Sequence, residues 1–189
     1  MKLILASGSP GRKDILEKAG YVFGVVPSNF EEDMTLKLTP AELTVHLSKG
    51  KARSVAIGED DAVVIGVDTV AVFQGQVLGK PHTAEKDRTM LSMLSGAMHA
   101  MVTGFTVINT KTRKEINRSV ETKIWFREIP THEMETYIES KEGFEKAGGY
   151  AYQLGGKHFV EKIEGSESNI MGLPLDELKQ SLEEIGYVA

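Results

Sequence analysis

The middle of the chain carries the run Ala62-Val63-Val64-Ile65-Gly66-Val67-Asp68-Thr69. Its first six residues are nearly all apolar and rich in valine, as in a strand that is covered on both faces of a sheet. We expect this strand to end at Asp68. Because open α/β sheets bind ligands at the carboxyl ends of their strands, Asp68 is a candidate functional carboxylate. An aspartate also commonly ends a strand, so both interpretations stay open.

Strand and helix signals alternate on either side of this run. Proline and hydroxyl residues mark helix starts, and β-branched or aromatic stretches mark strands. The predicted strands are residues 3–6, 22–27, 62–67, 98–108 and 119–127, and the predicted helices begin at Pro10, Pro40, Thr83, Thr131 and after Pro174. Alternation early in the chain, followed by a strand pair, predicts an α/β fold with a mixed sheet.

The bulk composition is that of an ordinary globular protein. The chain has 189 residues, 41% hydrophobic and 26% charged, which predicts a single domain over 1–189. There is no cysteine, and the first apolar run is too short for a signal peptide or a membrane span, so we expect a cytoplasmic protein without a membrane partner. A net charge of −5 argues against a nucleic-acid partner.

Several familiar catalytic motifs are absent from the sequence. It contains no phosphate-binding loop of the Gly-rich Lys-Ser/Thr type, no dinucleotide fingerprint and no nucleophile elbow. None of the five histidines has a partner at ligand spacing on one helix, so we interpret them as surface or hydrogen-bonded structural residues.

The turn Ser7-Gly8-Ser9-Pro10-Gly11-Arg12 is the first positive signal. A strand-to-helix turn with hydroxyls, backbone amides and an arginine matches the needs of phosphate oxygens, although a capped helix with an exposed arginine has the same pattern. One member of the acidic cluster at 31–33 is expected to face Asp68. Two such carboxylates would hold Mg²⁺ or Mn²⁺, whereas an acidic cluster is more often a solvated turn.

Further cations lie at Lys51, on the second predicted helix, and at Lys80, between a glycine and a proline. The glycine-rich stretch 146–156 combines Lys146 with two tyrosines and Gln153. A flexible surface loop and a loop that contacts a base or a phosphate are both compatible with this stretch.

Taken together, these segments resemble the Maf (septum formation) family of nucleotide pyrophosphatases, from Leu3 to about Leu178. The resemblance is carried by an ordered set of motifs: 5–10 with Arg12, 27–28 with Glu32, 51–52, 66–69, 79–81, 94–96 with His99, 103–104, 146–148 with Tyr150 and Gln153, 165–166 with Asn169, and 172–174. It implies a mixed twisted sheet with flanking helices and a cleft between two lobes, similar to inosine triphosphate pyrophosphatases. It also implies a homodimer and a metal-dependent release of pyrophosphate from nucleoside triphosphates.

The resemblance implies roles for individual residues as well. Asp68 corresponds to the acidic catalytic residue, usually the proton acceptor, and Glu32 to one of the residues around the phosphates and the metal ion. From their carboxylates, Glu32 and Asp68 are the candidate metal ligands. The remaining positions are expected to surround the phosphates: Ser7, Arg12, Lys51, Lys80 and Lys146.

The residues at positions 69 and 153, Thr69 and Gln153, resemble those of the family branch that prefers dTTP and UTP rather than those of the branch that prefers 7-methyl-GTP. Gly11 departs from both branches, which carry an arginine or a tryptophan at that position. Two alternatives therefore remain: a pyrophosphatase for modified nucleotides such as 7-methyl-GTP, and a nucleotide-binding regulator without turnover.

Overall fold

In the computed structural model, which describes residues 1–188, the chain forms a seven-stranded mixed sheet with flanking helices. The strands are β1 Lys2–Leu5, β2 Gly24–Val25, β3 Ala62–Phe73, β4 Gln76–Leu78, β5 Met98–Asn109, β6 Lys114–Phe126 and β7 Val160–Glu164. The helices are α1 Pro10–Lys18, α2 Pro40–Ala56, α3 Ala84–Leu94, α4 Thr131–Ser140, α5 Glu167–Ile170 and α6 Leu175–Glu184. The predicted α/β fold with a mixed sheet is confirmed.

The helix starts follow from local chemistry. Pro10 and Pro40 each occupy the first turn of their helices, where a missing N–H costs nothing. At α2, the side chain of Thr39 accepts a hydrogen bond from Glu42 N, and the Glu42 carboxylate accepts one from Thr39 N, completing a capping box. At α3, the Thr83 side chain caps the helix through Lys86 N. These short-range contacts explain why the helix starts could be predicted.

The sheet order is β2-β1-β3-β5-β6-β7, with β4 paired to β3. β1 lies between β2 and β3 and is parallel to both, with Lys2 opposite Ala62 and Leu5 opposite Ile65. β4 pairs antiparallel with the far end of β3, and β7 pairs antiparallel with β6. The strand predicted over 22–27 is wrong in extent, because only Gly24 and Val25 pair with β1.

The chain divides into two compact units. The first comprises residues 1–68, 103–120 and the described chain from Gly172 onward, and the second comprises 69–102 and 121–171. The first unit contains a buried apolar cluster of Ile4, Ala6, Ala52, Val55, Ala62, Val64 and Ile108. The second contains a larger cluster that includes Leu91, Leu94, Phe126, Tyr137, Tyr150 and Phe159. The single domain over 1–189, whose last residue lies outside the described part, stays a prediction.

Within residues 1–188, no helix combines the length and the apolar content that crossing a membrane requires.

Candidate active site

The sequence predicted that β3 ends at Asp68, and this prediction is wrong. β3 continues to Phe73, and Ala71 to Phe73 pair with β4. The last three residues of β3 lie opposite β4, and β5 is a further neighbour of β3 in the sheet; the apolar run revealed neither pairing. Asp68 nevertheless lies three residues beyond Ile65, the last residue of β3 that pairs with β1. It is 7% exposed, so its carboxylate sits at a buried position just past the parallel pairing.

A single ammonium group joins Asp68 to Glu32. Lys51 Nζ lies 2.7 Å from Asp68 Oδ1 and 2.8 Å from Glu32 Oε1. The side chains of Lys51 and Asp68 are only 12% and 9% exposed, whereas that of Glu32 is 44% exposed. Two carboxylates therefore converge on one cation, with one carboxylate buried and the other at the surface. The expectation that one member of the acidic cluster faces Asp68 agrees with this arrangement.

Close packing of α2 on β3 brings Lys51 within reach of Asp68. A Cβ atom placed on Gly66 would lie 2.2 Å from the carbonyl oxygen of Ser48 and 2.6 Å from the backbone nitrogen of Ala52. Real Cβ atoms do not approach that closely, so only glycine at position 66 permits this contact between helix and strand. Gly66 allows a short separation between α2 and β3, and Lys51 on α2 spans this separation to reach Asp68 on β3.

Arg12 connects three segments of the first unit through hydrogen bonds. Its Nε donates to the Gly172 carbonyl at 2.9 Å, and its Nη1 donates to Ser7 Oγ at 2.9 Å and to the Val67 carbonyl at 3.1 Å. Burial lowers the pKa of the guanidinium, and attraction to Asp68 and Glu32 opposes that shift. Arg12 thus ties the turn after β1 to the residue that precedes Asp68.

Sequence reasoning did not anticipate this use of Arg12, nor the participation of the Gly172 and Val67 carbonyls. Every residue has a backbone carbonyl, whatever its side chain. No sequence pattern could therefore have singled out the carbonyls of Gly172 and Val67. The prediction that Arg12 contacts phosphates stays a prediction, since the structure shows its hydrogen bonds to protein acceptors.

The first unit therefore brings together Ser7, Arg12, Glu32, Lys51 and Asp68. Gly11 follows Pro10 in the first turn of α1. The remaining predicted residues, Thr69, Lys80, Lys146 and Gln153, belong to the second unit.

Within the second unit, the segments that carry Lys80 and Lys146 are hydrogen-bonded to each other. His82 N donates to the Phe144 carbonyl at 3.0 Å, and Gly148 N donates to the Gly79 carbonyl at 3.2 Å. Lys80 is exposed and lies 3.8 Å from Glu145, whereas Lys146 is half-buried. Two predicted phosphate-binding cations are thus carried by adjoining segments of one unit.

The glycine-rich stretch is not a flexible surface loop. Residues 147–149 and 155–159 form two 3₁₀ turns, and Gly148, Gly149, Tyr150 and Tyr152 are buried. Tyr150 donates or accepts a hydrogen bond with His99 Nε2 at 2.8 Å and packs edge-on against Phe126. The two tyrosines serve the core of the second unit, whereas Gln153 is exposed.

Asp68 and Glu32 suit a hard divalent cation. Both offer carboxylate oxygens, the ligands that Mg²⁺ and Mn²⁺ prefer, and their shared contact with Lys51 Nζ shows that the two carboxylates lie close together. Among residues 1–188, no group of three or more histidine, aspartate or glutamate side chains could hold a metal ion. The further ligands of a cation at this site would therefore be water and substrate oxygens.

Fold and site together define an α/β protein with convergent carboxylates and cations of the kind used to handle phosphates. A family model described as "Maf-like protein" matches residues 2–185, so the chain belongs to the Maf family. This confirms the resemblance seen in the sequence.

Curated relatives cover nearly the whole chain. A dTTP/UTP pyrophosphatase of Syntrophus aciditrophicus (strain SB) is 43% identical, over 98% of this chain and 90% of the relative. One from Carboxydothermus hydrogenoformans is 41% identical, over 99% and 100%, and one from Vibrio vulnificus is 42% identical, over 97% and 98%.

A solved structure of a HAM1 protein from Coxiella burnetii superposes with a TM-score of 0.56, covering 97% of this chain and 99% of that one. The two are 13% identical, so this likeness concerns the fold alone.

Proposed function

We propose that this chain hydrolyses nucleoside triphosphates, with dTTP and UTP as substrates, to a nucleoside monophosphate and pyrophosphate. The observation that carries the proposal is the pair of carboxylates, Asp68 and Glu32, held by one largely buried ammonium in a member of the Maf family. Relatives named dTTP/UTP pyrophosphatase, 41–43% identical over nearly full length, support the choice of substrate.

In the proposed reaction a water oxygen attacks the α-phosphorus, and the bond from the α-phosphorus to the oxygen that bridges it to the β-phosphorus breaks. Pyrophosphate leaves with the electron pair of that bond, and the water proton passes to the Asp68 carboxylate. Asp68 suits this role because Lys51 fixes its Oδ1 at 2.7 Å. A fixed base orients the attacking water without reorganising during the reaction.

Lys51 has a second role in this scheme. Its ammonium is nearly buried, and a cation in a poorly solvated position stabilises developing negative charge more strongly than one in water. Ser7 and Arg12, which are hydrogen-bonded to each other, provide a further hydroxyl and guanidinium beside the turn at the start of α1.

Asp68 and Glu32 are the residues that would hold Mg²⁺ or Mn²⁺. When bound, such an ion neutralises phosphate charge and lowers the pKa of water. The other assignments come from the family resemblance: Lys80 and Lys146 contact the phosphates, while Gly11, Thr69 and Gln153 lie near the base.

The test is pyrophosphate release from dTTP, UTP, CTP and 7-methyl-GTP, with Mg²⁺ and with Mn²⁺. We expect Asp68→Asn to lower kcat by about 10² or more, in line with the loss of a general base. Asp60→Asn is the matched control, because Asp60 is an exposed aspartate of the same unit. Turnover of Asp68→Asn near that of the wild type would refute the assignment of Asp68.

The same panel separates the alternatives. A vacant side-chain position at Gly11 leaves room for a modified base, so preferential turnover of 7-methyl-GTP would move the substrate to modified nucleotides. If every nucleotide is bound at saturating concentration and none is consumed, the chain is a nucleotide-binding regulator.

The remaining predictions concern the setting of the protein. A homodimer, a cytoplasmic location where nucleoside triphosphates are abundant, and the lack of a nucleic-acid partner belong to the proposal. Sedimentation with and without nucleotide would test the first of these.

A further inference from the structure

The loop between β2 and α2 carries Glu32, and a chain of contacts ties this loop to α2. Ser28 Oγ and Ser54 Oγ are hydrogen-bonded at 2.9 Å, and Ser54 Oγ also donates to the Lys51 carbonyl at 2.9 Å. Phe30 N donates to Ser28 Oγ at 3.0 Å. One end of the loop is therefore fixed to the helical turn that carries Lys51.

Phe30 reaches the same turn through its ring, and it does so at a glycine. A Cβ atom placed on Gly50 would lie 2.3 Å from Phe30 Cζ and 2.4 Å from its Cε2. The outer edge of the ring thus occupies the space that any side chain at position 50 would need. Gly50 lies well inside α2, where glycine weakens a helix relative to alanine, so this contact gives a physical reason for an otherwise unfavourable residue.

Glu32 depends on such an anchor. Its side chain is 44% exposed, and loop residues 31–35 are all exposed. An exposed glutamate on an untethered loop would sample many rotamers and backbone conformations, and holding it at one position has an entropic cost. Phe30 is two residues before Glu32, and Gly50 is directly before Lys51, so the ring fixes both sides of the Glu32–Lys51 ion pair.

We propose that the contact between the Phe30 ring and Gly50 positions Glu32 beside Lys51 and Asp68. Through this contact, Phe30 and Gly50 set the affinity of the site for a divalent cation. The inference rests on the proposed function, because it concerns the carboxylate assigned there to the cation. Phe30 and Gly50 are positioning residues and touch no reacting atom. Removing the contact between Phe30 and Gly50 should increase the mobility of the loop and weaken Mn²⁺ binding. It should change kcat little once Mn²⁺ is saturating.

The experiment uses Gly50→Ala, Phe30→Ala and the double variant. Mn²⁺ affinity is measured as the concentration that gives half-maximal pyrophosphate release, and directly by Mn²⁺ titration with electron paramagnetic resonance in the absence of nucleotide. Loop order is measured by hydrogen exchange of residues 29–36. We expect each single variant to weaken Mn²⁺ binding by about tenfold, the lower end of the range for residues that orient metal ligands.

The double variant provides the sharpest prediction. If Phe30 acts through Gly50, both substitutions remove the Phe30–Gly50 contact, and Phe30→Ala also removes the contact of the ring with His46. The double variant should therefore match the weaker-binding single variant rather than multiply the two effects. Gly58→Ala is the matched control, since a Cβ atom there meets only the Val55 carbonyl at 3.9 Å. Phe30→Leu, which keeps an apolar side chain over Gly50, should recover much of the affinity.

Wild-type loop exchange and wild-type Mn²⁺ affinity in Gly50→Ala would overturn the inference, as would multiplicative effects in the double variant. These readouts do not require turnover. If the wild type proved inactive on every nucleotide, the proposed function would fail, while loop exchange and direct Mn²⁺ binding would still decide the role of Phe30 and Gly50.

Discussion

Asp87 gives the fold a pH dependence that one substitution should remove. It lies in the first turn of α3, and its side chain is fully buried. Neither carboxyl oxygen has a hydrogen-bond partner among residues 1–188. A Cβ atom on Gly149 would lie 2.2 Å from Asp87 Oδ1, which shows how tightly the 3₁₀ turn at 147–149 covers the carboxyl. Burial raises the pKa of Asp87 from 3.8 to about 6.

The magnitude and sign follow from proton linkage. Between pH 3.8 and 6 the native state holds a proton that the unfolded chain has released, so stability falls as pH rises through this window. The difference between the two pKa values corresponds to about 3 kcal/mol, fully lost above pH 6. Asp87→Asn is neutral at every pH. We therefore expect equal stabilities near pH 4, and a variant more stable than the wild type by about 3 kcal/mol at pH 8.

Urea unfolding of both proteins from pH 4 to pH 8 is the assay, and the quantity of interest is the difference between them at each pH. The difference removes the background from His99, whose pKa burial lowers to about 4 and whose contribution has the opposite slope. In a separate thermal unfolding experiment at pH 8, the variant should melt roughly 6–12 °C higher, as expected for a chain of this size. A difference in stability that is the same at pH 4 and pH 8 would refute the reasoning, and Asp60→Asn, at an exposed aspartate, is measured alongside as the control.

Three further predictions concern packing and capping. Gly66→Ala should lower the free energy of unfolding, measured by thermal unfolding, by more than about 2 kcal/mol, because the new Cβ would lie 2.2 Å from the Ser48 carbonyl oxygen. Unchanged stability would contradict the close approach of α2 and β3. Thr39→Ala should cost about 1 kcal/mol through the lost helix cap and leave turnover unchanged. Tyr150→Phe removes the hydroxyl 2.8 Å from His99 Nε2 and should cost about 1 kcal/mol or more, measured by urea unfolding at pH 7.

The helices could be predicted from the sequence because their signals are local. Pro10, Pro40 and Thr83 specify helix starts through φ and capping, which involve only residues one turn away. The helix Thr131–Ser140 also begins at the predicted residue.

Strand extents could not be predicted in the same way, since a strand is defined by its neighbours. The run at 22–27 keeps only two residues in the strand, Gly24 and Val25, followed by one further hydrogen bond from Val26 N to the Leu5 carbonyl at the end of β1. β3 runs on past Asp68 in a sheet where β5 lies beside it and β4 pairs with its last three residues. In both cases a distant segment decides where the pairing ends.

The identities of the first-unit site residues were largely predictable, and their connections were not. Glu32, Lys51 and Asp68 were each named from local sequence or from family resemblance. That one ammonium contacts both carboxylates depends on the separation between α2 and β3, which no local pattern encodes. Likewise, the hydrogen bonds of Arg12 to two backbone carbonyls follow from the approach of segments far apart in the chain.

Two glycines allow these segments to pack so closely. Gly66 lets α2 lie against β3, so that Lys51 reaches Asp68, and Gly50 lets Phe30 lie against α2, so that Glu32 reaches Lys51. Each glycine has a cost in its own element, since glycine is unfavourable inside both strands and helices. The three charged groups could be kept and their arrangement still be disturbed if either glycine gained a methyl group, through a backbone clash at Gly66 and a displaced Phe30 ring at Gly50. The spacing of the backbone segments therefore determines this site as much as the charged residues do.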